Sequence, residues 1–499
     1  MVQKIEKDVF SDFSSKELMD ATYWAAQNFQ IRGFYEAKED ILKCGKFSEE
    51  QFFEIFDTMV DAETERKIIL ARLRKFNDLL SLNQIVDRFP EFPREQVIRN
   101  VIYLKEQGFI EEIEEIKTKK IMKKVKGEEK EIESKQYFYK YQPKSLSDDH
   151  YEHYFTPVSL IYEAGVCSNC GWCSSICPVD AVKMDPETLE IDDDLCIKCG
   201  LCYSVCPRSF SIDRVYENIA HLDSAITFSE KVGAYLNMYS GTTSKKQIKE
   251  VRQDGGIVTS LFAYLLEEDL VDAIIAVQHS NDPWRPEPVI VETISNLYKT
   301  AGTKYANAPV LSIIDAAQEY ERIAIVGVPC MVKALYKGAL YPMGSPFFKN
   351  IKYIIGLFCM ESFSYAAIVD LIQEKFDQDI SQLTKMNIDK GKFIINLQSG
   401  EQMTVPLKEI NSYARDQCHF CEDLTSEYAD ISVGSIGSPG GRSTVITRTE
   451  NGEDIYQGAI SKGYIDSKPI DKVKPGQFLV EKIAGIKRKK CKTINLTKN

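Results

Sequence analysis

Apolar residues recur along this chain with two different periods, and the change of period divides it. Over residues 65–80 they fall at helical spacing (Ile68, Ile69, Ala71, Leu73, Phe76, Leu79, Leu80), which predicts an amphipathic helix. Ser81 is an N-cap residue for a short helix over 82–89. Pro93 opens a third helix, which carries Val97, Val101 and Leu104 towards a C-cap at Gly108. Residues 109–116 and the aromatic run Tyr137, Phe138, Tyr139, Lys140, Tyr141 read as two strands on either side of a lysine and glutamate run. Residues 1–45 read as helical. Beyond residue 230 the period shortens. Continuous apolar runs at 273–277, 323–327, 353–357, 430–433 and 444–447 predict buried strands, and helical stretches at 257–266 and 366–376 fall among them. That alternation predicts an α/β fold, in which ligands bind beyond the carboxyl ends of the strands.

Three helices followed by a charged hairpin resemble a winged helix-turn-helix, an α+β domain. Such a domain reads DNA through its third helix or serves as a docking module. The third helix offers Arg94, Arg99 and Lys105, diluted by Glu95 and Glu106. The hairpin run sets Lys119, Lys120, Lys123 and Lys124 against Glu128, Glu129, Glu131 and Glu133. Mixed runs of this kind are solvated faces, so docking is the preferred reading and nucleic acid is not an expected partner. The net charge of −12 points the same way. A length of 499 residues suggests about three domains. The division expected is a helical region over 1–59, the winged-helix-like domain over 60–145, a cysteine-rich module over 151–225 and the α/β domain over 230–499, with linkers at 143–160 and 208–230. The chain start has no apolar signal-peptide core, and no run approaches the roughly 18 apolar residues of a membrane span. Cysteines in ligand spacing add a reducing, cytoplasmic setting.

Eight of the 14 cysteines lie between residues 167 and 206, in two copies of one spacing 29 residues apart. Cys167-x2-Cys170-x2-Cys173-x3-Cys177-Pro178 is followed by Cys196-x2-Cys199-x2-Cys202-x3-Cys206-Pro207. In the bacterial-type two-cluster ferredoxin the fourth cysteine of each run ligates the other cluster. One [4Fe–4S] cluster is therefore expected on Cys167, Cys170, Cys173 and Cys206, and a second on Cys196, Cys199, Cys202 and Cys177. The alternatives are disulfides and a zinc site; zinc takes four ligands in two pairs and leaves the doubled run of four unexplained. Ala181 to Asp185 and Leu189 to Asp192 read as the short hairpin between the halves. Clusters open to oxygen suggest an anaerobe.

Further cysteines fall at predicted strand ends. Cys330 closes Val326-Gly327-Val328-Pro329-Cys330, and Cys359 closes Gly356-Leu357-Phe358-Cys359. Cys418-x2-Cys421 precedes the strand at 430. Four thiolates meeting at one sheet edge suit a third [4Fe–4S] cluster; a zinc site and unligated core cysteines are the alternatives. His419 reads as a bystander. Cys44 reads as structural, and Cys491, in the basic run Lys487-Arg488-Lys489-Lys490, as free. Gln253-Asp254-Gly255-Gly256 precedes a helix, and its amides suit an anionic or polar ring edge. Gly434-x2-Gly437-x2-Gly440-Gly441 follows a strand, where backbone can approach a ligand closely. Neither is the G-x-G-x-x-G of a dinucleotide fold, so NAD is not indicated.

Gln253-Asp254-Gly255-Gly256, Gly302-Thr303-Lys304-Tyr305, Val326-Gly327-Val328-Pro329-Cys330, Gly356-Leu357-Phe358-Cys359 and Ala429-Asp430-Ile431-Ser432-Val433-Gly434 together resemble the β-subunit family of the coenzyme F420-reducing hydrogenases and F420 dehydrogenases. With the ferredoxin module in front, the chain from 151 onward is similar to the input subunits of F420H2 dehydrogenases and to formate dehydrogenase β subunits; the first 150 residues depart from both. The resemblance implies bound FAD, a cluster beside it and an open pocket for the deazaflavin coenzyme F420. By motif, FAD is expected against Gln253, Asp254, Gly255, Gly256, Thr259, Thr303, Lys304, Gly327 and Gly434. The implied activity is that of an archaeal electron-transfer subunit. A hydride passes between F420 and FAD, and single electrons pass through three clusters to or from a partner redox enzyme. No side chain is expected to be catalytic, since the chemistry is the flavin's. Lys304 is suited to stabilise a reduced, anionic flavin, with a turn-capping lysine as the alternative. The basic run 487–490 is a candidate for receiving the acidic coenzyme. Partners of the implied class are a hydrogenase, formate or CO dehydrogenase, heterodisulfide or sulfite reductase, or a membrane complex. Two other functions compete: a winged-helix redox-sensing transcription regulator, and a same-family flavoprotein reductase with another substrate.

Overall fold

A computed structural model describes residues 38–43, 48–76, 79–106, 109–125, 128–141, 158–185, 188–196, 200–209, 212–220, 225–340 and 348–492. The helical expectation before residue 38, Cys44, the Gly108 cap, Cys199 and the linker up to 157 lie outside them.

After a short helix at Lys38–Lys43, helix α1 (Glu49–Phe76) begins well before the periodic stretch that announces it. Phe52 is buried in its early turns, with Phe56 stacked 6.3 Å away. After β1 (Leu80–Ser81), helix α2 (Leu82–Val86) starts on a capping box, in which Ser81 and Gln84 each satisfy the other's backbone N–H. Then follow α3 (Arg94–Glu106), β2 (Ile110–Val125) and β3 (Glu128–Tyr141). The register of this hairpin runs from Ile110 opposite Tyr141 to Val125 opposite Glu128. The lysine and glutamate run expected between two short strands is therefore itself strand. Leu80 and Ser81 pair with Tyr139 and Phe138, making β1 a third strand.

The next module repeats one local design. Helix α4 (Trp172–Ser175), the hairpin β4 (Val182–Met184) and β5 (Leu189–Ile191), and helix α5 (Leu201–Val205) follow in order. Each helix is entered through a left-handed glycine, Gly171 at φ 94° and Gly200 at φ 73°. The stretch expected as a connector holds a helix, α6 (Asp213–Ala220).

The rest forms an α/β domain. Its strands are β6 (Asn237–Thr243), β7 (Ala273–His279), β8 (Pro286–Val291), β9 (Ile323–Gly327), β10 (Ile351–Leu357), β11 (Leu383–Asp389), β12 (Lys392–Leu397), β13 (Gln402–Pro406), β14 (Ile431–Gly434), β15 (Ser443–Thr447) and β16 (Ile465–Pro469). Eight of them make one sheet in the order β8-β7-β9-β10-β14-β15-β6-β16. The central β7, β9, β10 and β14 are parallel and buried, which is why they read as unbroken apolar runs. Helices α7 (Ile257–Glu267), α8 (Pro329–Leu340), α9 (Tyr365–Phe376), α10 (Glu450–Ser461) and α11 (Gln477–Lys490) flank the sheets. Strands β11, β12 and β13 form a small sheet of their own.

One apolar core runs through all three parts, from Ile41 and Phe89 through Trp172 and Val205 to Leu311 and Leu335. Helix α3 packs on α6 and α8. Its basic residues are engaged at home: Arg99 with Glu65 at 4.0 Å and Lys105 with Glu112 at 3.0 Å. Tyr103 and Tyr139 belong to the core. The Arg66 guanidinium lies 3.6 Å from the centre of the Tyr103 ring. Among the described residues no helix is long and apolar enough to cross a membrane.

Candidate functional site

The cysteine runs fold into facing loops. The thiol of Cys206 acts on Cys170 and Cys173 and is acted on by Cys167, whereas Cys202 interacts with Cys177 and Cys196. Cys202 also acts on Cys173, so the thiols of the two runs lie near one another. Cys330 heads α8, Cys359 follows β10, Cys418 lies within the 3-10 turn Asp416–Phe420 and Cys421 just after it. These four thiols interact with one another. Cys330 also interacts with Cys170, so the sheet-edge set adjoins the first ferredoxin set.

Burial pushes the thiols of Cys170, Cys202 and Cys330 up to about 12 and that of Cys206 up to about 11. Thiolates so placed need a cationic partner, and coordinated metal provides one by deprotonating the thiol outright. Four iron ions per set suit this donor chemistry. Among the described residues no group of three or more His, Cys, Asp or Glu is placed to hold a single metal ion.

Cations that the cysteine pattern does not announce line these sets. Arg415 donates to the carbonyls of Ser168 (3.1 Å) and Cys167 (3.4 Å). Arg208 donates to Gln417 O (3.1 Å) and to Phe420 O. Lys337, fully buried, donates to Cys206 O (2.6 Å) and Ser209 Oγ (2.7 Å). Lys487 is buried too, with Nζ on Cys359 O (2.6 Å) and Asp423 O (2.8 Å). Arg488 pairs with Glu427 and, at 3.2 Å, with Glu422. A solvated tail, the preferred reading of this run over a coenzyme patch, describes only its second half: Lys487 and Arg488 are built into the fold, and Lys489 and Lys490 are exposed. Cys491 is half-buried and interacts with Cys421. The one sequence signal for these cations is adjacency: Arg208 follows Cys206-Pro207, and Lys337 lies two turns beyond Cys330.

The motif residues divide into two groups. Gln253 Nε2 donates to Asn387 Oδ1 (2.8 Å) and Met386 O (3.1 Å), which ties its loop to β11. Burial raises the Asp254 carboxyl, with Lys385 opposing. Asp254 acts in turn on Tyr305, which brings the Gly302–Tyr305 loop to the same place. Lys304 reaches the carbonyls of Thr300 (2.5 Å), Ala301 (2.9 Å) and Gly302 (3.1 Å), and burial lowers its ammonium to about 8. It is both a cap and a desolvated cation. Burial, and then Lys304, lower His279 to about 4. Gly256, at φ 71°, enters α7 without a side-chain cap, and Thr259 is buried in the first turn. Thr303 is exposed.

Gly327 and Gly434 stand at the carboxyl ends of β9 and β14, with β10 between them. A Cβ on Gly434 would collide with the Phe358 ring, and one on Gly255 would meet Gly241 O and Ser443 N at 2.6 Å. Both glycines thus serve protein packing. Gly255→Val is accordingly expected to destabilise even the flavin-free protein, by about 1–3 kcal/mol. A thermal scan that found an unchanged Tm alongside lost flavin would return the glycine to a ligand role.

Three family profiles match the chain. They are the 4Fe–4S dicluster domain over residues 166–210, and the N-terminal and C-terminal parts of the coenzyme F420 hydrogenase/dehydrogenase beta subunit over 238–315 and 320–473. The chain is similar to the beta subunit of the coenzyme F420 hydrogenase of Methanothermobacter thermautotrophicus, at 39% identity over 52% of this chain and 94% of that protein. It is also similar to a subunit of the F420H2 dehydrogenase of Methanosarcina mazei, at 33% identity over 66% of this chain and 92% of that one. A chain of the F420-reducing nickel–iron hydrogenase complex from Methanosarcina barkeri superposes with a TM-score of 0.52 at 37% identity, over 53% of this chain and 92% of that chain. These matches, on the strands and loops just described, show that the chain belongs to the coenzyme F420 hydrogenase/dehydrogenase beta subunit family.

Proposed function

We propose that this chain is an F420-linked oxidoreductase subunit that exchanges hydride between coenzyme F420 and bound FAD and passes single electrons through three [4Fe–4S] clusters to or from a partner redox enzyme. When bound, the flavin supplies the step between two-electron and one-electron chemistry, and the clusters carry the single electrons. The observation that carries the reading is the adjacency of Cys330 to Cys170, which makes one ladder of three cysteine sets. Cys330, Cys359, Cys418 and Cys421 hold the set at the sheet edge. Cys167, Cys170, Cys173 and Cys206 hold the next, and Cys177, Cys196, Cys199 and Cys202 the last. Gln253, Asp254, Gly256, Thr259, Thr303 and Lys304 shape the flavin's seat, with the uncapped N-terminus of α7 turned to anionic groups; Gly255, Gly327 and Gly434 set the strand and loop packing around it.

Residues 60–145 act in this reading as a winged-helix-like docking domain for the partner, of the hydrogenase, dehydrogenase or reductase class. Support comes from α3, whose Arg99 and Lys105 are neutralised within the chain and whose seat is the chain's own α6 and α8; a helix so placed is poorly suited to a major groove. One experiment tests both parts. Anaerobically purified protein is mixed with reduced F420 and a viologen. The full chain and a chain starting at 151 should both bleach the coenzyme and colour the viologen, while only the full chain should retain a partner from the native source. No viologen reduction by the full chain would reject the redox reading. Partner capture by the short chain would reject the docking one.

A further inference from the structure

Most of the cations near the cysteines touch more than one set or also cap a turn. Lys487 is different. Helix α11 carries it beneath the sheet-edge set, where it is 6% exposed. Its ammonium has two hydrogen bonds, to Cys359 O and Asp423 O, and neither acceptor is a carboxylate. The Asp423 carboxylate is used elsewhere, accepting the amides of Thr425 and Glu427 at 2.8 Å each. Arg488, next along, takes Glu422 and Glu427. The groups acting on the Lys487 charge are the sulfurs of Cys421, Cys359 and Cys418 together with the Asp423 carboxylate, two of the sulfurs being ahead of that carboxylate in influence, and for Cys359 Lys487 is the chief cationic influence. Burying an ammonium on two carbonyls alone is costly. The cost is offset when an anionic group shares the site.

We propose that Lys487 is a positioned charge that sets the reduction potential of the cluster held by Cys330, Cys359, Cys418 and Cys421. This rests on the reading that those four cysteines hold a cluster. Each electron entering that cluster, from reduced flavin or from dithionite, adds one negative charge to it and leaves the ligands in place. A fixed positive charge at short range in a poorly solvated site favours the reduced state. No cation figures among the influences on Cys202 of the last ferredoxin set. The first ferredoxin set has cations of its own, Lys337, Arg208 and Arg415, so Lys487 is the charge whose bias falls on the sheet-edge cluster and not on the other two.

The test is an anaerobic redox titration followed by electron paramagnetic resonance on the full chain, with iron counted in every sample. Lys487→Gln removes the charge and can still donate to a carbonyl; Lys487→Met is the second neutral variant. The expected result is one midpoint of three lowered by at least the equivalent of a tenfold change in the reduction equilibrium, about 59 mV for one electron, with the other two unmoved. Lys487→Arg should restore it. Full iron with all three midpoints unchanged in a neutral variant would overturn the proposal. So would loss of the cluster from both neutral variants but not from the arginine one, because the charge would then serve assembly and not potential. Wild-type protein with about 8 iron atoms and two signals would instead reject the underlying cluster reading.

Discussion

Alanine at position 418 is expected to lower bound iron from about 12 to about 8 atoms per chain and to abolish viologen reduction by reduced F420, while acid-releasable FAD stays near one per chain. The Cys418 sulfur accepts the Ser362 N–H (3.4 Å) and lies 3.5 Å from Ser362 Oγ. Its loss leaves three thiols where a cubane needs four corners. The flavin residues lie on other loops, so hydride uptake should survive and the block should fall on the single-electron side. One neighbour complicates the result. Cys491 interacts with Cys421 and is near enough to compete for the open corner. The measurement is therefore made on Cys418→Ala with and without Cys491→Ala. Iron near 12 in the double variant would show that these cysteines are not a ligand set.

Trp172→Ala is expected to cost about 3–5 kcal/mol of stability, the range for emptying a buried aromatic site, and to loosen the ferredoxin module from the α/β domain. Trp172 is fully buried and lies directly over Gly338 of α8, where even a methyl group would collide with the ring. The same seam is held by hydrogen bonds from Leu311 N to Cys170 O (2.9 Å) and from Ser175 Oγ to Leu311 O (2.8 Å). The indole N–H finds no acceptor among the described residues. Trp172→Phe should therefore lose only packing and cost distinctly less than alanine. Denaturant unfolding of the iron-loaded chain checks both. Equal unfolding midpoints for the alanine variant and the native chain would mean that the seam does not depend on the ring.

What can be read from the sequence follows from what each signal records. Strands buried on both faces are continuous apolar runs, so the parallel β7, β9, β10 and β14 and the antiparallel β15 can be placed within a residue or two. Spacing groups the cysteines because a cluster loop leaves little freedom in sequence. The start of α1 is not legible because residues 49–64 mix phenylalanines with acidic residues and lack a clean stripe. The charged run in β2 and β3 reads as loop because alternation there is charge against charge. Lys487 looks like one lysine in a solvated tail, since burial of a long cation depends on what a distant turn brings to it. Gly434 and Gly255 read as ligand-facing because sequence shows that a side chain is forbidden, not which atom forbids it.

Helix α8 acts as a ruler within the relay. Cys330 lies at its first turn and Lys337, which grips Cys206, two turns on. At 1.5 Å per residue that is a separation of ~10 Å along a rigid rod. Tunnelling rates fall steeply with distance, and a gap set by a helix does not widen when domains breathe. In the proposed relay, electron passage from the sheet edge to the ferredoxin sets would thus need no docking, hinge or encounter within the chain. The slow, collision-dependent events are confined to the two ends, where the coenzyme arrives and where the partner binds.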